Sequence, residues 1–533
     1  MKNSSADSSP KNPSYFFYYF SIFALILLYF YVYFFHLSQP TDYDLGWHIR
    51  YGSDVLKDGV IWRTNTYSSE LVGYKVINSS WLLDLLRYLL YLHTGMVGIA
   101  VAGGLTVTLT FFLIAKAFDF TLWQSVLTLP ILSVMMYAVN VHSLRGQEIS
   151  FLGTVILIYL LRKYEEREKE KERKGETEIG RKSLFRFFSS SPFLLYLTIP
   201  LFLVWANLNG QFVMGLAIYG LWVGIQVLRQ SITFRHDRFK FQTSYLKFSI
   251  LTLIIPSLLS ALITLANPYG IHLYTDEIFY HGESRAMQFI SEWAPISQNS
   301  GIVWYFLLAW GLIFIFVIPI LLYQNKLIRY LPYLIPSLIL YAASYFEGRY
   351  IWTMFLISCP FLAILLGFLN PKNNKISTII LSILLLGMGI YLVRFELPPR
   401  ELALINWHSY CRLTKCSIAG ADFLVQNYQG KKIWTDYNYG GFLIWNYPAI
   451  KPSMDGRMPL WVDPKTNYSP FLATYYPLET ANADPQTSKY DVFFVQNYRP
   501  LRKLLDNLVE QKKWKLVFQD EKASIYGREK INL

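Results

Sequence analysis

The sequence predicts a polytopic all-α membrane domain of about eleven spanning helices, followed by a small C-terminal extracytoplasmic α/β domain. Three observations carry that expectation. Hydrophobic residues fill 53% of the 533 positions and charged residues only 16%, whereas soluble domains are nearer one quarter charged. Apolar windows recur as far as about residue 395, each long enough to cross roughly 30 Å of hydrocarbon. Beyond Pro398 the pattern changes to short strands and amphipathic helices.

The apolar windows place spans near 15–36, 95–116, 121–139, 148–162, 192–208, 211–229, 244–266, 302–322, 327–345, 350–369 and 376–393. The first follows a polar start with Lys2 and Lys11 and is too long for a signal-peptide core, so it reads as an uncleaved anchor. Charge sets the orientation. Lys and Arg gather in 162–186, in 229–247 and in the turns holding Lys326, Arg329, Lys372 and Lys375, while 267–301 has one Arg among several acids. Positive loops stay inside, so the N-terminus is expected in the cytoplasm and the C-terminal domain outside the inner membrane. The same placement accounts for the net charge of +13 and excludes a nucleic-acid partner; the lipid bilayer is the partner.

Two units follow: a transmembrane domain over 1–395, with a large first outer loop at 37–94, and an extracytoplasmic α/β domain over 396–533. Within the loop, 81–93 is apolar on one face with Asp84 and Arg87 on the other, the pattern of a helix lying on the membrane surface. Alternating charges over 165–174 predict a solvated helical extension of the fourth span. In the C-terminal domain, 432–435 and 491–495 read as strands, 501–511 as a helix, and 514–518 with 523–526 as a closing hairpin. Cys359 reads as a small core residue. The spacing of Cys411 and Cys416 permits a disulfide without requiring one.

A transporter would place ionisable groups near the midplane of its spans. Here the spans are nearly free of charge and the polar clusters sit at their outer ends. The first is Asp42-Tyr43-Asp44-Leu45-Gly46-Trp47-His48-Ile49-Arg50. If a helix starts near Leu45, Asp44 and His48 stand one turn apart on one face, suited to general-base work beside a cation; the alternative is that Asp42 or Asp44 merely caps the helix. The same membrane face receives His142, Arg145, Gln147 and Glu148; Asn207, Asn209 and Gln211; Asn267 through Gly270; Glu292 and Trp293; and Glu347 with Arg349. Cations beside carboxylates at head-group level suit a lipid phosphate, which Arg binds bidentately while an acid acts on the acceptor.

The run Asp42–Arg50, with Gly59 ending a helix downstream, resembles the first outer loop of GT-C-type membrane glycosyltransferases. That superfamily includes oligosaccharyltransferases and protein O-mannosyltransferases, and the likeness is nearest to its bacterial members, whose motif has an aromatic where Gly46 stands here. Trp205-Ala206-Asn207, Asn267-Pro268-Tyr269-Gly270, Glu292-Trp293 and the stretch from Gly440-Gly441 to Asp455-Gly456-Arg457 also look like that group. The resemblance implies an inverting glycosyltransferase that moves a sugar from a polyprenyl-phosphate-linked donor to a glycan, lipid or protein acceptor of the envelope. It implies Asp44 as catalytic acid-base group, with Asp42 next and His48 beside them, and Arg349, Arg145 and Arg50 for the donor phosphate. Glu292, Asn207, Asn267, Glu148, Asp455 and Arg457 are its candidates for sugar or acceptor. An oligosaccharyltransferase-like variant would add a divalent cation, Mg or Mn, although the loop before span four supplies only Glu148 as a further acid. A flippase of lipid-linked saccharides and a non-catalytic envelope-glycan assembly factor are the competing readings.

Overall fold

The computed structural model describes residues 42–121, 145–174, 191–236, 243–279, 284–290, 293–296, 301–368 and 406–528, with isolated positions in 19–27, 124–128 and 379–390. The expected first, third and last spans fall largely outside those residues, as do His142 and Glu292. Among the described residues, six helices are long and apolar enough to cross a membrane: Trp81–Ala117, Ser191–Leu208, Phe212–Ser231, Val303–Tyr323, Leu327–Phe346 and Gly348–Gly367. Ile250–Ile263 is a shorter apolar helix, and the expected fourth span is the first half of Gly146–Lys174, whose second half is too charged to count. The chain is an integral membrane protein built mainly of helices.

The first large loop begins with helix α1 (Leu45–Asp58), which ends at Gly59; there a φ of 70° suits a residue without Cβ, and the Gly59 N–H donates to the Val55 carbonyl. A two-stranded antiparallel ribbon, β1 (Arg63–Thr64) and β2 (Lys75–Val76), leads into α2 (Trp81–Ala117). Gly95, at φ 66° and ψ −158°, breaks α2 in two, so a loop helix and a span meet there as the sequence suggests. The loop helix does not lie with its charges outward. Asp84 and Arg87 are 0% and 1% exposed, because the Asp84 carboxylate accepts from Asn78 Nδ2 at 2.6 Å and Arg87 Nη1 at 2.9 Å and lies 2.6 Å from His48 Nδ1. A buried charge is tolerable when paired and hydrogen-bonded, and this one ties α1 to α2.

A second correction concerns the charged second half of α3 (Gly146–Lys174). Glu165 is buried rather than solvated. It accepts from Trp222 Nε1 at 3.0 Å, Gln226 Nε2 at 2.9 Å and Arg162 Nη1 at 3.1 Å, and Arg162 Nε reaches the Ala117 carbonyl at 3.3 Å. One ion pair thus joins α2, α3 and the Phe212–His236 helix at the end of α3 away from Asp42 and Asp44.

The C-terminal strands form as expected, in the order β3 (Ile433–Thr435), β4 (Val492–Gln496), β6 (Ala523–Arg528), β5 (Trp514–Gln519); β3 runs parallel to β4 and the other pairs are antiparallel. All five residues of β4 are buried, the mark of a central strand covered on both faces. The helix Pro500–Glu510 covers one face through Leu501, Leu505 and Leu508. A disulfide joins Cys411 to Cys416 at the end of the helix Trp407–Thr414, and Cys359 is a free, buried core residue.

This sheet unit is packed directly onto the first large loop. Gly46 of α1 and Gly441, in the short helix Gly440–Asn446, touch backbone to backbone. A Cβ on Gly46 would run into the Gly441 carbonyl oxygen, and one on Gly441 into the carbonyl oxygen of Tyr43. Here lies the reason for glycine at position 46. Further ties hold the two together. Tyr410 Oη donates to the Asp42 carbonyl at 2.6 Å, Lys489 Nζ pairs with Glu70 at 2.6 Å, and Ser68 Oγ donates to the Asp455 carboxylate.

Candidate functional site

The two acids of the first cluster reach one place by different supports. Asp42 Oδ1 accepts from the Asp44 backbone N–H at 3.0 Å, and its Oδ2 lies 3.3 Å from Arg145 Nε. The Asp44 side chain caps nothing, although Asp44 precedes α1; its Oδ2 lies 3.7 Å from Arg145 Nη2. The capping alternative is therefore excluded for Asp44. Gly456 closes over this carboxylate, at a point where any Cβ would overlap the Asp44 oxygens.

The two acids differ in protonation. Burial works against the Asp42 charge, yet Arg145, then His48 and Arg87, outweigh it and hold the carboxyl below its ordinary range. At Asp44 burial acts first and the Asp42 charge second; against the weaker pull of Arg145 they push the carboxyl up to about 7. Paired carboxylates with separated pKa values are the mark of an acid–base assignment. Burial lowers His48, against the opposing pull of Asp84. Its ring is stacked on Trp47 at 3.6 Å and its Nδ1 lies 2.6 Å from the Asp84 carboxylate, so His48 ties α1 to α2.

Asp42, Asp44 and Arg145 border a cavity of about 550 Å³. A second cavity of about 410 Å³ adjoins it and is bordered by Arg349, Glu347 and Gln211. Ile77, Ser79, Glu277, Trp293, Leu460, Arg457 and Trp461 border both, so the two form one cleft with the acids at one end and Arg349 at the other. Arg349 lies over the Trp293 ring at 4.1 Å, and Gln211, with its amide oxygen turned toward the guanidinium, accepts from Nε and Nη2 at 3.1 Å. The C-terminal unit supplies the facing wall. Asp436 there caps the turn Tyr437–Tyr439 through the Asn438 N–H at 3.1 Å and is gripped by Arg499 at 2.7 and 3.0 Å, which presents Tyr437 and Asn438 to the cavity.

The remaining expected residues divide clearly. Arg457 borders both cavities, held by Asp455 at 2.8 and 2.7 Å. Asp455 is buried beneath it; burial would raise its pKa, but Arg457 prevails and keeps it low. Glu148 is buried behind the acids, its Oε2 without a hydrogen-bond partner among the described residues. Arg50 turns away from the cleft to pair with Asp54 at 3.1 Å. Asn207 is consumed by Leu203, Ala266 and Trp81, and Asn267 by the turn it closes, accepting from the Tyr269 N–H at 2.8 Å. That turn aims Tyr269 at Tyr51 at 3.0 Å and so staples the two loops together. Sequence reasoning missed Glu277, which lines the cleft with an exposed side chain, its carboxyl raised by the protein around it against the pull of Arg349. It also missed Trp461; neither position carries a motif.

The described acids do not make a metal-ligating set. Among the described residues no group of three or more His, Cys, Asp or Glu side chains could hold an ion. Asp42 is engaged on both oxygens, and the cation facing Asp42 and Asp44 is Arg145. A divalent cation bound by Asp42 and Asp44 does not fit this arrangement.

No protein-family model matches the chain, and no curated protein matches it in sequence. Solved structures do. The archaeal oligosaccharyltransferase AglB from Archaeoglobus fulgidus, in complex with an inhibitory peptide and a dolichol-phosphate, is 10% identical with a TM-score of 0.51, over 90% of this chain and 69% of that one. ArnT from Cupriavidus metallidurans in the apo state is 12% identical with a TM-score of 0.48, over 97% of this chain and 98% of that one. At these identities the likeness, carried by AglB, is one of fold.

Proposed function

We propose that the chain is an inverting glycosyltransferase that takes its sugar from a polyprenyl-phosphate donor at the outer face of the membrane. One observation carries the reading: a single cleft holds a carboxylate poised near neutrality at one end and an arginine ordered by an indole and an amide at the other. Asp44 takes the proton of the acceptor hydroxyl or amide as that atom bonds to the anomeric carbon. The bond from that carbon to the phosphate oxygen breaks, and the phosphate leaves with the electron pair toward Arg349. Asp42, kept ionised by Arg145, raises the basicity of Asp44 and orients its backbone. A base whose pKa lies near the working pH combines ionised population with proton affinity.

The fold shared with AglB, whose complex contains a dolichol-phosphate, supports a lipid-phosphate donor. The Cys411–Cys416 disulfide supports placing residues 396–533 as an extracytoplasmic domain on the oxidising side. The test is transfer of radiolabelled sugar from polyprenyl-phosphate donors to envelope fractions by the purified full-length chain. Label should move with the wild type and stay on the lipid with Asp44→Asn. Equal transfer by both proteins would refute the assignment.

A further inference from the structure

We infer that the middle of the cleft is a pyranose subsite walled by Trp461 and Trp293, so that the C-terminal unit itself holds the sugar to be transferred. The inference rests on the proposed function and goes beyond it by naming where the sugar ring lies and what distinguishes it from the lipid phosphate.

The position follows from the two ends. In a displacement by inversion the anomeric carbon lies between the base and the leaving phosphate, hence between Asp44 and Arg349. The residues bordering both cavities occupy that interval, Trp293, Trp461, Arg457, Glu277 and Ser79 among them. Their chemistry is amphipathic in the way a sugar is: a pyranose has an apolar C–H face and a polar rim of hydroxyls. Large aromatic planes suit the first, and a few fixed polar groups suit the second.

The aromatic walls are set before any ligand arrives. Trp461 is stacked on Tyr74 at 4.6 Å and 20°, with the Arg457 guanidinium 5.3 Å from its ring. Trp293 is backed by Arg349 at 4.1 Å. The polar rim is equally fixed. Arg457 spends Nε and Nη2 on Asp455, Asn65 and Ser68, and its Nη1 has no hydrogen-bond partner among the described residues. Because Asp455 neutralises this guanidinium in a buried pair, Arg457 is suited to a hydroxyl more than to a phosphate. Arg349 and Lys75 are then the cations that border the cavity at the phosphate end and not the one at the acids. Trp461 and Arg457 come from the C-terminal unit, Ser79 from the first large loop and Trp293 from the later one, so three separate segments frame one ring.

The experiment measures binding of three lipids to the detergent-solubilised full-length chain: bare polyprenyl phosphate, polyprenyl-phosphate mannose and polyprenyl-phosphate glucose. At least one sugar lipid should bind about tenfold more tightly than the bare phosphate. Trp461→Ala should remove that advantage and leave bare-lipid affinity unchanged, while Trp461→Phe, which keeps an aromatic plane, should restore most of it. Arg349→Ala should weaken all three lipids alike. The subsite is overturned if neither sugar lipid binds better than the bare phosphate, if Trp461→Ala weakens all three equally, or if it weakens none. Failure of the wild type to bind bare polyprenyl phosphate would instead strike at the proposed function itself.

Discussion

Replacing Asp44 by Asn should make the protein more stable and inactive at once, and the size of the first effect can be worked out. Moving a carboxyl from 3.8 to about 7 makes its ionisation in place dearer than in water by about 4 kcal/mol. The Asp44 side chain is 18% exposed, so solvent screening makes this an upper figure. The sign follows from linkage. Between about pH 4 and 7 the folded chain keeps a proton that the unfolded chain has released, so stability falls as pH rises through that window. The contribution of Asp44 is most favourable below pH 4 and is lost as pH passes about 7. Asparagine carries no charge at any pH and escapes this penalty. At pH 8 Asp44→Asn should therefore unfold in detergent a few degrees above the wild type, and the gap should close as the pH falls toward 4. Thermal unfolding followed by tryptophan fluorescence, run beside the transfer assay at each pH, reads both effects. A variant that unfolds below the wild type at pH 8, or one that still transfers sugar, would refute the reasoning.

Asp42→Asn removes the charge that helps raise Asp44 while keeping an oxygen for the Asp44 N–H. The acid limb of the transfer rate, set near pH 7 in the wild type, should move down by about one pH unit; a limb that stays in place would deny the coupling. Gly441→Ala puts a Cβ against the Tyr43 carbonyl oxygen. Displacing that backbone by about 1 Å should cut transfer by about 100-fold with the protein still folded, and undiminished turnover would show that the sheet unit is not needed to seat Asp44. Glu165→Ala leaves the buried Arg162 without its nearest carboxylate, at 3.1 Å, and should cost about 3 kcal/mol in chemical unfolding. Glu165→Gln, which keeps an acceptor for Trp222, should cost less than half of that.

Much of this molecule is legible along the chain because its solvent is not uniform. Hydrocarbon demands long apolar helices, so Trp81–Ala117, Phe212–Ser231 and Val303–Tyr323 announce themselves by composition. In the C-terminal unit, the all-buried β4 and the Leu501–Leu505–Leu508 face of its covering helix are equally readable by period. The acids of the first loop were legible too, since a helix start after Asp44 fixes how Asp44 and His48 stand along α1. Burial of charge was not. Asp84, Arg87 and Glu165 look solvent-facing by pattern, and only partners distant in sequence, such as His48, Trp222 and Gln226, make their burial tolerable.

The sequence by itself determined a membrane protein, six helices long and apolar enough to cross among the described residues, and the polar clusters near helix ends, because these depend on transfer free energies that each segment settles locally. Only the tertiary structure decided which polar groups meet. Asn267 closes a turn, Arg50 pairs with its own helix, and Glu277, Trp461 and Arg457 join the cleft. Electrostatic and contact energies depend on distance in space, and the approach that brings Gly441 and Gly456 against the first loop joins segments about four hundred residues apart.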